Sequence, residues 1–276
     1  MIPPSPRERL RKFVNDLGLG DLDLGPLITD LWVAVAFYTR IPVGLAGPGD
    51  GAALARASWA APLAGALVGA IGAIAYWIAY RLNLPPLVCA TLAIGATLIV
   101  TGALHEDGLA DTADGFGGGQ TRTQTLDIMR DSRIGTYGTC AVGLTLVLRI
   151  TALADVGDAR GPALVAGALI AAHAAARATL PVFMLWVAPA RSEGLSAGAG
   201  APSRERAAVA ALIGVVLLWV TLGLRNAMIA LVPLCAGTVI MAWLSRRKIG
   251  GQTGDVLGAL EQVGECVVLL VAAARF

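Results

Sequence analysis

The chain has 276 residues, of which 56% are hydrophobic and only 14% charged, and its formal net charge is +2. With a mean hydropathy of +0.71, it lies outside the range of soluble domains and reads as an integral protein of the lipid bilayer. So small a net charge excludes a nucleic-acid partner held by charge.

Residues 1–26 are polar and carry Arg7, Arg9, Arg11 and Lys12 with no apolar core before Leu27, so no cleaved signal peptide is read there. The apolar stretch 27–38 is short and hemmed by Pro26, Asp30, Arg40 and Pro42. If it crossed, the basic residues before it would fall on the wrong side, which favours a re-entrant or surface helix. A crossing helix needs about 20 apolar residues. Segments 57–80, 86–104, 137–156, 162–188, 207–224, 226–244 and 256–274 meet that need. The expected fold is an all-α polytopic bundle of seven or eight helices, one membrane-embedded domain over 1–276, with a cytoplasmic acidic, Gly-rich catalytic loop. Small-residue patterns such as Gly65-x3-Gly69 suit close helix packing in lipid. Cys89, Cys140, Cys235 and Cys266 have no paired spacing and read as small buried apolar residues.

Loop charge orients the bundle. Loops 39–56, 105–136, 189–206 and 245–255 share one face by alternation. That face carries Arg40, Arg56, Arg122, Arg130, Arg133, Arg191, Arg204, Arg206, Arg246, Arg247 and Lys248. The other face has Arg81, Arg160, Arg225 and Arg275. The basic face is expected in the cytoplasm, the chain lying in the bacterial cytoplasmic membrane.

The stretch 105–138, HEDGLADTADGFGGGQTRTQTLDIMRDSRIGTYG, gathers charge between two apolar runs. Asp107, Asp111 and Asp114 stand at i, i+4 and i+7, within roughly 60° of arc on a helix. Carboxylates so arranged repel unless a cation lies between them, and an oxygen-only set suits Mg²⁺ or Mn²⁺. Gly115 to Gly119, interrupted by Phe116, follow no predicted strand and precede no Gly-Lys-Ser/Thr, so Rossmann and Walker readings fail. Beside the carboxylates and Arg122, Arg130 and Arg133, that run suits a diphosphate. Arg149, His173, Arg177, Glu261 and Glu265 fall inside predicted spans, where charge is costly and pairs or faces a polar interior. Asp255 opens the last span after a second Gly-rich turn and faces the same side as the acidic stretch.

HEDGLADTADGFGGG, DIMRDSRIGTYG and GGQTGDVLGALEQ, with FYTRIPV at 37–43, resemble in order the signatures of the cobalamin synthase (adenosylcobinamide-GDP ribazoletransferase) family. Residues 61–65, Ala-Pro-Leu-Ala-Gly, depart from the aromatic residue that family more often has before the proline. The resemblance implies a Mg²⁺-dependent membrane phosphotransferase. It would join adenosylcobinamide-GDP to α-ribazole, or its 5′-phosphate, and release GMP. On that footing Asp107, Asp111 and Asp114 would hold Mg²⁺, and Arg130 and Arg133 would clamp the diphosphate. Arg122 and the backbone of Gly117, Gly118 and Gly119 would bind phosphate. Asp131, or else His105, would accept the hydroxyl proton, and Asp255 would take a second metal or the nucleotide ribose. Asp111-x2-Asp114-Gly also resembles the core of CDP-alcohol phosphotransferases, but that family's Gly-x2-Ala-Arg continuation is absent. An ion-coupled transporter, the alternative of another class, does not account for carboxylates set among arginines. Oligomeric state is not legible in the sequence.

Overall fold

A computed structural model describes residues 24–43, 51–192, 194 and 198–275. The basic cluster at Arg7 to Lys12 lies outside them. The described chain is a bundle of α-helices. They are α1 (Gly25–Tyr38), α2 (Gly51–Ala57), α3 (Ala61–Arg81), α4 (Pro86–Thr101), α5 (Leu104–Gly118), α6 (Arg122–Ile128), α7 (Thr136–Arg160), α8 (Pro162–Trp186), α9 (Arg204–Ile249) and α10 (Gly254–Ala273). Proline at the first turn opens α1, α3, α4 and α8, where its missing N–H costs nothing. Thr121, Ser203 and Thr253 cap α6, α9 and α10 through their side-chain oxygens.

Among the described residues, five helices are long and apolar enough to cross a membrane, and α4 with α5 forms a bent pair that makes a candidate sixth crossing. α9 has 46 residues and breaks at Gly223, whose φ of 79° and ψ of 161° are not helical. Straight, it would run about 69 Å, far beyond a hydrocarbon core of about 30 Å. Its two ends lie at the same end of the bundle. Arg206 pairs with Asp30 at 3.1 Å, and Lys248 donates to the Phe116 carbonyl at 2.7 Å, while Pro202 and Asp255 line one cleft. The chain therefore makes two passes here, as the separate segments 207–224 and 226–244 require.

α8 forms the centre, packed on α3, α9 and α10. Its face of Ala168, Ala171, Ala172, Ala175 and Ala176 is buried, and small side chains of this kind let helix backbones approach in lipid. Gly69 of α3 meets α8 so closely that an added Cβ would stand 2.5 Å from the Leu169 carbonyl oxygen. α1, with 14 residues, spans about 21 Å and falls short of a crossing. Asp30 on it binds Arg56 and Trp59, each at 3.1 Å, and its end reaches inward, where Tyr38 stacks on His105. Its Tyr38 end packs into the bundle, and its length is that of a helix which does not cross. Cys89 and Cys266 are buried, but Cys140 and Cys235 are exposed on the outside of the bundle, so the expectation of four buried thiols is corrected for two.

Candidate active site

The sequence reads 105–136 as a loop carrying Asp107, Asp111 and Asp114 on one helix face; residues 104–118 do form that helix, folded into the bundle. The chain turns 89° between α4 and α5, through left-handed Gly102 and Ala103. α5 then packs along α10 and α7. Glycine permits the closest approach. A Cβ on Gly108 would lie 2.9 Å from the Asp255 carbonyl oxygen, and one on Gly258 would lie 3.1 Å from that of His105. Asp107 and Asp255, from opposite ends of the sequence, thereby share the wall of one cleft of about 180 Å³. Thr253 caps α10 and donates its hydroxyl to Asp255 at 3.1 Å, and a carboxylate in a helix's first turn complements the dipole.

Asp111 lies near enough to Asp107, Asp255 and Asp114 to feel the charge of all three. Among the described residues, though, no three of these aspartates bring ligand atoms within 4.8 Å of one another. Asp114 is turned the other way. Its two oxygens accept the backbone N–H groups of Gly135 at 2.7 Å and Gly138 at 2.9 Å, tying α5 to the start of α7. The donor set still suits a hard cation. Mg²⁺ is commonly held by one or two carboxylates with water and substrate phosphate filling its shell, so Asp107, Asp111 and Asp255 need not close into a cage.

The turns at 188–191 and 250–252 meet the short helix α6 beside this cleft. Ala190 N–H donates to the Gln252 carbonyl at 2.8 Å and Gln252 N–H to that of Ala188 at 2.9 Å. Arg122 donates to the Ala190 carbonyl and Arg191 to the Leu126 carbonyl, each at 2.8 Å. Arg191 sits among Arg130, Asp255, Asp127 and Asp111, and burial, then Arg130, lowers its pKa below the usual arginine value. It is the basic group that faces the carboxylates, and as one arginine among eleven basic residues on that face it had no distinguishing signal in the sequence.

The remaining sites divide. Arg130 is exposed beside this group, and Arg122 is spent partly on the loop. Asp131 and Arg133 form an outer pair, bonded at 2.6 Å. Those hydrogen bonds hold the Asp131 carboxyl below its ordinary range, making it a weaker proton acceptor. Gly117 and Gly118 complete α5 and the Gly119 N–H is used by the Gly115 carbonyl at 2.9 Å, so the run is a helix end. His105 lines the cleft.

Beneath the cleft, five buried charged side chains and two histidines interlock. Arg149 joins Glu106 of α5 at 3.1 Å and Glu265 of α10 at 2.9 Å. Arg177 pairs with Glu261, and with Glu265 at 3.1 Å, and approaches His105 at 3.3 Å. His173 pairs with Glu265. Glu106 was missed as a member, although it adjoins Asp107; one residue's turn of helix points it inward.

Residues 30–273 match the family model described as Cobalamin-5-phosphate synthase. The adenosylcobinamide-GDP ribazoletransferase of Bradyrhizobium diazoefficiens is 54% identical over 248 residues, which cover 90% of this chain and 94% of that protein. Proteins of the same name from Mesorhizobium japonicum and Ralstonia nicotianae are 50% and 44% identical, over 92% and 87% of this chain and 97% and 93% of their own lengths. No solved structure matches.

Proposed function

The chain belongs to the cobalamin-5-phosphate synthase family, and from that premise we propose that it is an adenosylcobinamide-GDP ribazoletransferase working at the α5–α10 cleft. A ribose hydroxyl of α-ribazole, or of its 5′-phosphate, attacks the phosphate joined to cobinamide. One P–O bond forms, the phosphoanhydride bond to GMP breaks, and the hydroxyl proton passes to a base. The observation that carries this is the meeting of Asp107 and Asp255 on one wall, with Asp111 and Arg191 beside them.

Asp107, Asp111 and Asp255 would hold Mg²⁺, and Asp114 would fix the angle of the acidic helix through its two backbone amides. Bound there, the metal supplies charge neutralisation for the diphosphate and for the leaving GMP. Arg130 and Arg191 orient the diphosphate from the opposite side, since guanidinium groups bind phosphate oxygens in pairs. Of the two proton acceptors, His105 has the better geometry because it lines the cleft, whereas Asp131 is held by Arg133 at the rim.

Purified protein in liposomes, given adenosylcobinamide-GDP, α-ribazole and Mg²⁺, should release GMP in step with a new corrinoid, followed by chromatography. Consumption of neither substrate under these conditions would reject the assignment.

A further inference from the structure

The cleft beside Asp107 and Asp255 is mostly apolar. Phe37, Tyr38, Leu54, Leu180, Met184 and Leu257 supply its larger walls. An apolar wall is a poor seat for a diphosphate, and at about 180 Å³ the space is below the roughly 300–1,000 Å³ that encloses a whole drug-sized ligand. It suits one flat two-ring fragment. Ser58 adds a directional cue. It lines the same cleft, and its buried Oγ has no hydrogen-bond partner among the described residues. A buried hydroxyl left unpaired is costly, and it is satisfied by a polar atom arriving with a ligand.

We propose that this cleft is the subsite for the heterocyclic base of the acceptor nucleoside, with the Ser58 hydroxyl donating to the ring nitrogen that carries no sugar. The inference rests on the transferase reading above. Of the pieces which that reaction brings together, the corrin ring is far too large for the cleft. Guanine would leave most of its polar edge without partners against Leu54, Leu180 and Leu257. A benzimidazole is flat and apolar, with one acceptor nitrogen, and matches both the walls and the unpaired Ser58 hydroxyl. Its ribose then emerges beside Asp107 and Asp255, where the attacking hydroxyl is needed. Tyr38, stacked on His105 at 5.8 Å between ring centroids, offers an aromatic surface on the same wall.

The test uses the full-length protein in liposomes, with two substrates varied independently. Leu54→Trp narrows the cleft and should raise KM for α-ribazole at least tenfold while KM for adenosylcobinamide-GDP changes less than twofold. Ser58→Ala should raise KM for α-ribazole about threefold to tenfold, the scale of one neutral hydrogen bond. The same substitution should have no effect on a riboside whose ring lacks the acceptor nitrogen. A second readout does not depend on turnover. Met184→Cys, in a background with the four native cysteines replaced, should be protected from a thiol reagent by α-ribazole and not by GDP. Protection by α-ribazole without any GMP release would keep the subsite and reject the reaction. Normal turnover, with Met184→Cys protected by GDP alone or with KM rising only for adenosylcobinamide-GDP, would overturn the subsite and keep the reaction.

Discussion

Asp111 has the most exacting position among the acidic side chains, because Asp107, Asp114 and Asp255 all press their charge upon it. Replacing it with Asn keeps its shape and removes its own charge from the cluster. Turnover should fall by at least about a hundredfold, the scale lost with an electrostatic stabiliser. Thermal unfolding in detergent should be unchanged or slightly raised, since repulsion is relieved. Activity near wild type at limiting Mg²⁺ would move the metal elsewhere. Asp131 leads to the opposite expectation. Hydrogen bonds from Arg133 lower its carboxyl pKa, so it is charged at every pH above its ordinary value of about 4. It cannot create an activity limb near neutrality. Asp131→Asn should therefore leave the shape of the pH–rate profile unchanged above about pH 5; loss of an acidic limb on this substitution would restore Asp131 as the base.

Helices α5, α7 and α10 are joined by one side chain, Arg149, which reaches Glu106 and Glu265 from α7. Removing it strands the buried Glu106 carboxylate and takes one basic partner from Glu265, which keeps Arg177 and His173. Arg149→Ala should cost roughly 3–5 kcal/mol, as broken buried pairs do, read as a large drop in unfolding temperature in detergent. Arg149→Ala with Glu106→Gln should recover part of that loss by removing the stranded charge. Equal stability of Arg149→Ala and the wild type would show that the network does not hold these helices together. The intramembrane residues Arg149, His173, Arg177, Glu261 and Glu265 were legible as a set from their place in apolar spans. Their partner on the acidic helix was not, because nothing in a linear pattern says that α5 turns 89° back into the bundle.

At the scale of the molecule, the acidic helix, the 189–191 turn, the 250–255 turn and the α1–α2 region converge on one end. Arg160 and Arg275 bind groups at the other end, the former the Ala274 carbonyl and the latter Asp155, each at 3.1 Å. From loop charge we propose that the first end faces the cytoplasm. Single cysteines at exposed Gln120 and Arg247, in a background lacking the native thiols, should react with a probe confined to the cytoplasm. One at exposed Ala159 should react only from outside. Labelling of Gln120 and Arg247 from opposite sides would break the topology and the two-part site together.

By itself the sequence determined the class of the protein, the apolar segments and the residue types of the site, since each is written in local composition. Long apolar runs need no partner to be recognised, and Asp107, Asp111 and Asp114 repeat at helical spacing wherever that helix lies. The split of 207–224 from 226–244 at Arg225 already called for a reversal, but nothing local marked Gly223 as the residue whose backbone makes the break. Tertiary structure decided which way each carboxylate points. Asp114 spends both oxygens on the amides of Gly135 and Gly138. Asp255, 148 positions after Asp107 by their numbering, reaches the same cleft. That pairing depends on Gly108 and Gly258 letting two helix backbones touch. Such contact is made between distant segments, so it is decided only when the whole bundle packs.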